Sequence, residues 1–145
     1  MGRLIDARTS MNIDAMSPTV TDFFPSFVPV LMGQVGLNVP PDTTGIIRVQ
    51  LTGMAGLFSS DPDDISTLIL TIVRGTSPTD PQVFLSANNY NPEEAGFHTI
   101  EISAADYNVP APASGVLAYS LFGMATSAMI GRVGPENLNA SAYTG

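Results

Sequence analysis

Residues 5–15 alternate without interruption: Ile5, Ala7, Thr9, Met11, Ile13 and Ala15 occupy one set of positions, and Asp6, Arg8, Ser10, Asn12 and Asp14 the other. Successive side chains of an extended chain point to opposite faces, so this period of two fits a half-buried strand. A helix would repeat its apolar positions about every 3.6 residues. Burying Ile5, Met11 and Ile13 gains about 1.5–3 kcal/mol each, whereas ordering the backbone costs about 1–2 kcal/mol per residue. The stretch therefore needs main-chain pairing as well, from a sheet edge in its own chain or in a neighbouring copy. A turn cluster at Met16, Ser17, Pro18 and Thr19 sets it off as an N-terminal arm, residues 1–17, from a domain at 18–145. Removal of the arm is expected to leave that domain folded and monomeric.

The remainder follows the same local rule. Residues 22–39 are rich in Phe, Val and Leu but broken by Pro25, Pro29, Gly33 and Gly36, which confines them to edge or irregular β structure. Residues 46–51 place Ile47, Val49 and Leu51 on one face and Ile46, Arg48 and Gln50 on the other, with a bulge or bend expected at Gly53 and Gly56 at the strand's end. Residues 65–74 are apolar on both faces and predict a central strand covered on both sides. Residues 82–87 alternate with Val83, Leu85 and Ala87 in phase, and 88–96 form a polar loop. Further strands are predicted at 97–104, 115–124, 127–133 and 138–143.

Seven or eight strands punctuated by Gly, Pro, Asn and Asp, with no amphipathic helix, predict an all-β fold. Such spacing suits a single antiparallel β-sandwich of jelly-roll type with an extended N-terminal arm, or an immunoglobulin-like one.

Composition restricts the partners. The net charge of −8 repels nucleic acid and anionic membranes. Charged residues make up 12% of the chain against about 25% in an ordinary soluble domain, which favours burial against other subunits. Residues 107–131 carry no charge, but prolines, glycines and hydroxyl residues divide them into strands, so no membrane span is expected. There is no cysteine, hence no disulfide and no thiolate metal site. The first ten residues lack the apolar run of a signal peptide.

No residue set predicts catalysis. Asp61, Asp63 and Asp64 have calcium-like spacing, but the Gly and Glu of a twelve-residue calcium loop are missing, and a solvated turn is the simpler reading. His98, the single histidine, is in phase with Ile100 and Ile102 and reads as a partly covered strand residue. Glu93, Glu94, Glu101 and Glu136 could supply a glycosidase pair only if the fold brought two of them close together. Tyr90, Tyr107, Tyr119 and Tyr143 suit core packing or subunit contact better than a sugar platform. Asn139-Ala140-Ser141 matches the glycosylation triplet. No cofactor or small-molecule ligand is expected.

Three stretches, Ser103 to Val109, the Ser114-Gly115 turn and Val133 to Ala140, resemble small β-sandwich proteins of the spore surface in spore-forming Gram-positive bacteria, the exosporium and endospore-appendage group. The resemblance spans residues 46–143. It implies a non-enzymatic jelly-roll subunit, outside the cell or on the spore surface, that assembles with its own copies into a filament or layer and inserts its N-terminal arm, Ile5 to Ala15, into a neighbour. Appendage subunits carry cross-linking cysteines and this chain has none, so cohesion would rest on strand addition and apolar packing. A viral capsid or phage decoration protein, or a carbohydrate- or calcium-binding module built on the acidic loop, are the alternatives.

Overall fold

The computed structural model describes residues 2–17, 22–60, 65–91, 93 and 95–145. Among them nine strands form: β1 (Arg3–Ile13), β2 (Asp22–Phe23), β3 (Val30–Asn38), β4 (Ile47–Ser59), β5 (Ser66–Arg74), β6 (Gln82–Tyr90), β7 (Gly96–Val109), β8 (Val116–Ala125) and β9 (Ile130–Thr144). The antiparallel pairings are nested: β5 with β6, β4 with β7, β3 with β8 and β1 with β9. The chain is thus one long hairpin rolled up on itself, so that β4 also meets β9 and β5 also meets β8. Two sheets result, β1-β9-β4-β7 (sheet A) and β3-β8-β5-β6 (sheet B), with β2 added beside β9. This is the expected antiparallel β-sandwich, of jelly-roll type.

Inward positions of both sheets make the core. Val49, Leu51, Leu57, Leu138, Ala140 and Ala142 of sheet A lie buried with Leu68, Leu70, Ile72, Leu117, Tyr119 and Leu121 of sheet B. Ile47, Val49 and Leu51 are inward as their alternation predicts. The strand does not end near Gly53 and Gly56 but continues to Ser59, with a register irregularity against β9 opposite Gly56. The irregularity sits in β9, whose register opposite Ala55 and Leu57 jumps from Glu136 to Arg132. A Cβ on Gly53 would come within 2.9 Å of the Asn137 carbonyl oxygen, and one on Gly56 would collide with that of Gly134, so both glycines serve close approach. The two predicted strands at 127–133 and 138–143 are one strand with a bulge, and the polar loop at 88–96 begins later because β6 runs through Tyr90.

The N-terminal arm differs most from expectation. β1 pairs with β9 of its own chain from Arg3–Thr144 to Ile13–Glu136, forming the outermost rung of the rolled hairpin, so residues 1–17 are not a separate unit from 18–145. Register shifts at Ile5 and Asn12 reverse the facing of the residues between them. Ile5 and Ile13 are half-buried, but Ala7, Thr9 and Met11 are exposed, so the alternating set does not bury as one face. Asp6 and Ser10 turn instead toward β3, where Asp6 Oδ2 accepts the Asn38 amide at 2.7 Å and Ser10 Oγ the Gln34 amide at 3.3 Å. Side chains of β1 thereby occupy main-chain donors along the outer edge of β3.

A second correction concerns sheet B. β5 is central, between β8 and β6, and its inward Leu68, Leu70 and Ile72 are buried. Its outward Ile69 and Thr71 are half-buried while the outward Val73 is fully buried, so its own chain covers the outer side only in part. Leu85 and Ala87, paired with the outward Thr71 and Ile69, also face away from the core.

Candidate functional site

Two polar clusters inside the sandwich hold its buried carboxylates, Asp106 and Glu136, among the described residues. Arg74 on β5 donates from Nε and Nη2 to Asp106 on β7 at 2.7 and 2.8 Å, and the Tyr119 hydroxyl on β8 donates to the same carboxylate at 2.8 Å. The three strands belong to both sheets, so the cluster clamps one sheet to the other. Burial, reinforced by the bond to Asp106, pushes the Tyr119 hydroxyl far above its ordinary value, and Asp106 raises the Arg74 guanidinium. The phenol thus stays a donor and the guanidinium a cation.

The second cluster lies beside the β9 bulge. Glu136 is fully buried, takes Nε and Nη2 of Arg132 at 2.7 Å each, and accepts Asn12 Nδ2 at 2.7 Å. Arg132 also reaches Asp22 at 3.2 Å and lies over the Phe24 ring, and Glu136 raises its guanidinium. Both clusters are saturated, and among the described residues no buried polar side-chain atom lacks a hydrogen-bond partner.

The predicted site residues are dispersed. Asp61, Asp63, Asp64 and Glu94 lie outside the described residues, among which no group of His, Asp and Glu could hold a metal. His98 is half-covered with its ring 4.5 Å from that of Tyr90. Glu136 is locked in its ion pair, while Glu101 is exposed on the outer face of sheet A, and the two do not converge on a cleft. Tyr90 and Tyr119 are core residues. Asn139 sits mid-strand in β9, half-buried beside Thr52.

What the fold does assemble is a pair of outer faces. On sheet B, Leu31 pairs with Phe122, Phe122 with Thr71, and Thr71 with Leu85; Met124, Ile69 and Ala87 form the next row. A groove of about 250 Å³ runs over this face between Pro29, Phe122, Met124 and Leu85. Among the described residues Arg74 is the one charged residue of β3, β5, β6 and β8, and it turns inward to Asp106. The outer face of sheet B therefore carries no charge, while Leu31 and Leu85 stay 46% and 56% exposed.

The outer face of sheet A is hydroxyl- and amide-rich. Its first row is Tyr107, Arg48, Tyr143 and Leu4, with the Arg48 guanidinium 5.5 Å from the centre of the Tyr107 ring. Gln50, Thr52, Ser103, Asn139 and Ser141 follow along the strands. Two shallow grooves of about 540 and 510 Å³ lie over this face and share Ser103. Sequence alone could not find either face, because each combines residues from four strands distant along the chain.

No protein-family model matches the sequence, and no curated protein matches it. Among solved structures, dimeric latent PorU from Porphyromonas gingivalis superposes on 96% of this chain with a TM-score of 0.50 and 9% identity. The T13 viral particle of IBDV superposes on 99% of the chain with a TM-score of 0.46 and 10% identity, and the Gx strain of infectious bursal disease virus on 99% with 0.41 and 13%. The chain spans 12%, 35% and 38% of those three chains. At such identities the likeness concerns the fold alone.

Proposed function

We propose that this protein is a non-enzymatic structural subunit that assembles with copies of itself through the outer face of sheet B. The uncharged, partly aliphatic surface of that face carries the reading. In a monomer the outward side of an antiparallel sheet is normally polar, and contiguous exposed apolar patches mark contact sites. Here Leu85 and Ala87 of β6 point away from the core, while Val83 and Phe84 pack against it. Leu31 and Leu85 are about half exposed, so covering each adds half of the roughly 1.5–3 kcal/mol of a whole leucine side chain, and both copies of a self-matched pair contribute it.

A filament or surface layer, on the spore surface or elsewhere outside a cell, is the form of assembly in keeping with the resemblance of the C-terminal strands. Insertion of the arm into a neighbour remains compatible as strand exchange, since β1 is an edge strand that could take the same register on the β9 of another copy.

Light scattering and electron microscopy of the purified chain test the proposal. The wild type is expected to form high-mass assemblies and Leu85→Asp to lose at least one order of association while keeping its β-sheet circular dichroism. A wild type that stays monomeric at every concentration would sink it.

A further inference from the structure

The opposite face, the outside of sheet A, has a pattern of its own. Four cross-strand rows, each read β7, β4, β9, β1, cover the part of it that all four strands share: Tyr107, Arg48, Tyr143, Leu4; then Ala105, Gln50, Ser141, Ala7; then Ser103, Thr52, Asn139, Thr9; then Glu101, Met54, Asn137, Met11. Beyond them the face continues with Gly56 and Thr99 and then with Phe58, Phe97 and Phe23. Among the described residues its two charges are Arg48 in the first row and Glu101 in the last, on adjacent strands, and neither joins an ion pair within the chain. Six residues of strand separate the two rows, about 20 Å. Leu4, Met11 and Tyr107 are 53%, 60% and 63% exposed at the corners.

We infer that this face receives the same face of a second copy, across a two-fold axis lying between the two sheets and perpendicular to the strands. Such an axis exchanges the first row with the last and the second with the third. It sets Leu4 against Met11 of the other copy, and it brings Arg48 and Tyr107 over the row that holds Glu101. In the middle, Gln50 meets Thr52 and Ser141 meets Asn139, donors and acceptors on both sides. An isologous contact requires a surface complementary to itself under this rotation. One cation and one anion at opposite ends of the four rows meet that requirement, whereas a two-fold axis parallel to the strands would set Arg48 over Tyr143 and Glu101 over Met11, leaving both charges without a counterpart.

The inference rests on the self-assembly reading and sharpens it. One isologous contact, on sheet B, stops at a dimer. A second on the opposite side of the sandwich gives every molecule two contacts facing opposite ways, and the chain of alternating A-to-A and B-to-B contacts is a linear filament.

The test uses the full chain carrying Leu85→Asp, which removes the sheet-B contact and leaves the one on sheet A. Light scattering should then give twice the chain mass of 15.2 kDa. Adding Arg48→Glu should return the mass to that of one chain, with dissociation at least about tenfold easier because like charges now face each other. Adding Glu101→Arg as well should restore the dimer. Arg48 and Glu101 are exposed, and unchanged thermal melting of each variant verifies the fold. A monomer before any charge change, a double reversal that stays monomeric, a dimer indifferent to both residues or a trimer would each overturn the sheet-A contact. All four leave the sheet-B proposal standing if the wild type still assembles, whereas a monomeric wild type removes both.

Discussion

Asp106, Arg74 and Tyr119 show how much one carboxylate can organise. Its partners come from the opposite sheet, so the ion pair and the phenol bond are made only when the layers close. Tyr119→Phe keeps the buried ring and removes one bond to a charged acceptor, which is expected to cost about 1.5–3 kcal/mol. A urea titration should show a lower midpoint with an unchanged slope, and an unchanged midpoint would mean the hydroxyl contributes nothing. Asp6 supplies a pH-dependent term. The Asn38 amide it accepts, and then Arg8, hold its carboxyl below the ordinary value of 3.8. A carboxyl lowered in the folded state stabilises the fold fully above its unfolded value, and the contribution disappears as the pH falls through the folded one. Melting temperature is therefore expected to drop more steeply from about pH 5 to about pH 2 for the wild type than for Asp6→Asn. Parallel curves would uncouple Asp6 from folding. The identity of these residues was plain in the sequence, but their partnership was not: Asn12 and Glu136 are 124 positions apart, and no local pattern links them.

Among the elements, β1 repays comparison with its own alternation. The period of two correctly marks a strand, and its boundaries agree within two residues with Arg3–Ile13. The same period cannot say which set faces inward, because shifting the register by one residue exchanges the two faces. The shifts at Ile5 and Asn12 do that, placing Asp6 and Ser10 over the edge of β3. Deleting residues 1–17 would consequently remove the partner of β9, the acceptors on β3 and the Asn12 bond to Glu136. The truncated chain is expected to melt at lower temperature and to associate more through the opened edge of β9. A truncated monomer as stable as the full chain, measured by thermal melting and light scattering, would place β1 outside the fold. β6 presents the same ambiguity: Leu85 and Ala87 of its alternating set face outward, whereas a register shift turns Val83 to pack against the core with Phe84.

At the scale of the whole molecule, the nested pairing of one rolled hairpin fixes which surfaces are free. The sandwich is closed along β1 and β3 by side-chain bonds to main chain, and β6 and β7 are the outer strands at its other end. The broad surfaces left are the two sheet faces, pointing in opposite directions, one uncharged and partly aliphatic, the other hydroxyl- and amide-rich with Arg48 and Glu101 three rows apart. Most of the acidic groups responsible for the net charge of −8 therefore lie off these faces and would not oppose a face-to-face contact.

The sequence alone determined that the chain would be all strand and turn, because period-two alternation and the spacing of Gly, Pro, Asn and Asp act within a few residues. Its scarcity of charge also indicated that much of the surface would be uncharged. Which strands pair, which side of each faces the core, and where Arg74, Arg132 and Arg48 find their neighbours were decided by tertiary structure. Those outcomes depend on register and bulges set by contacts between distant strands, and a local alternation reads the same whichever way the strand is turned.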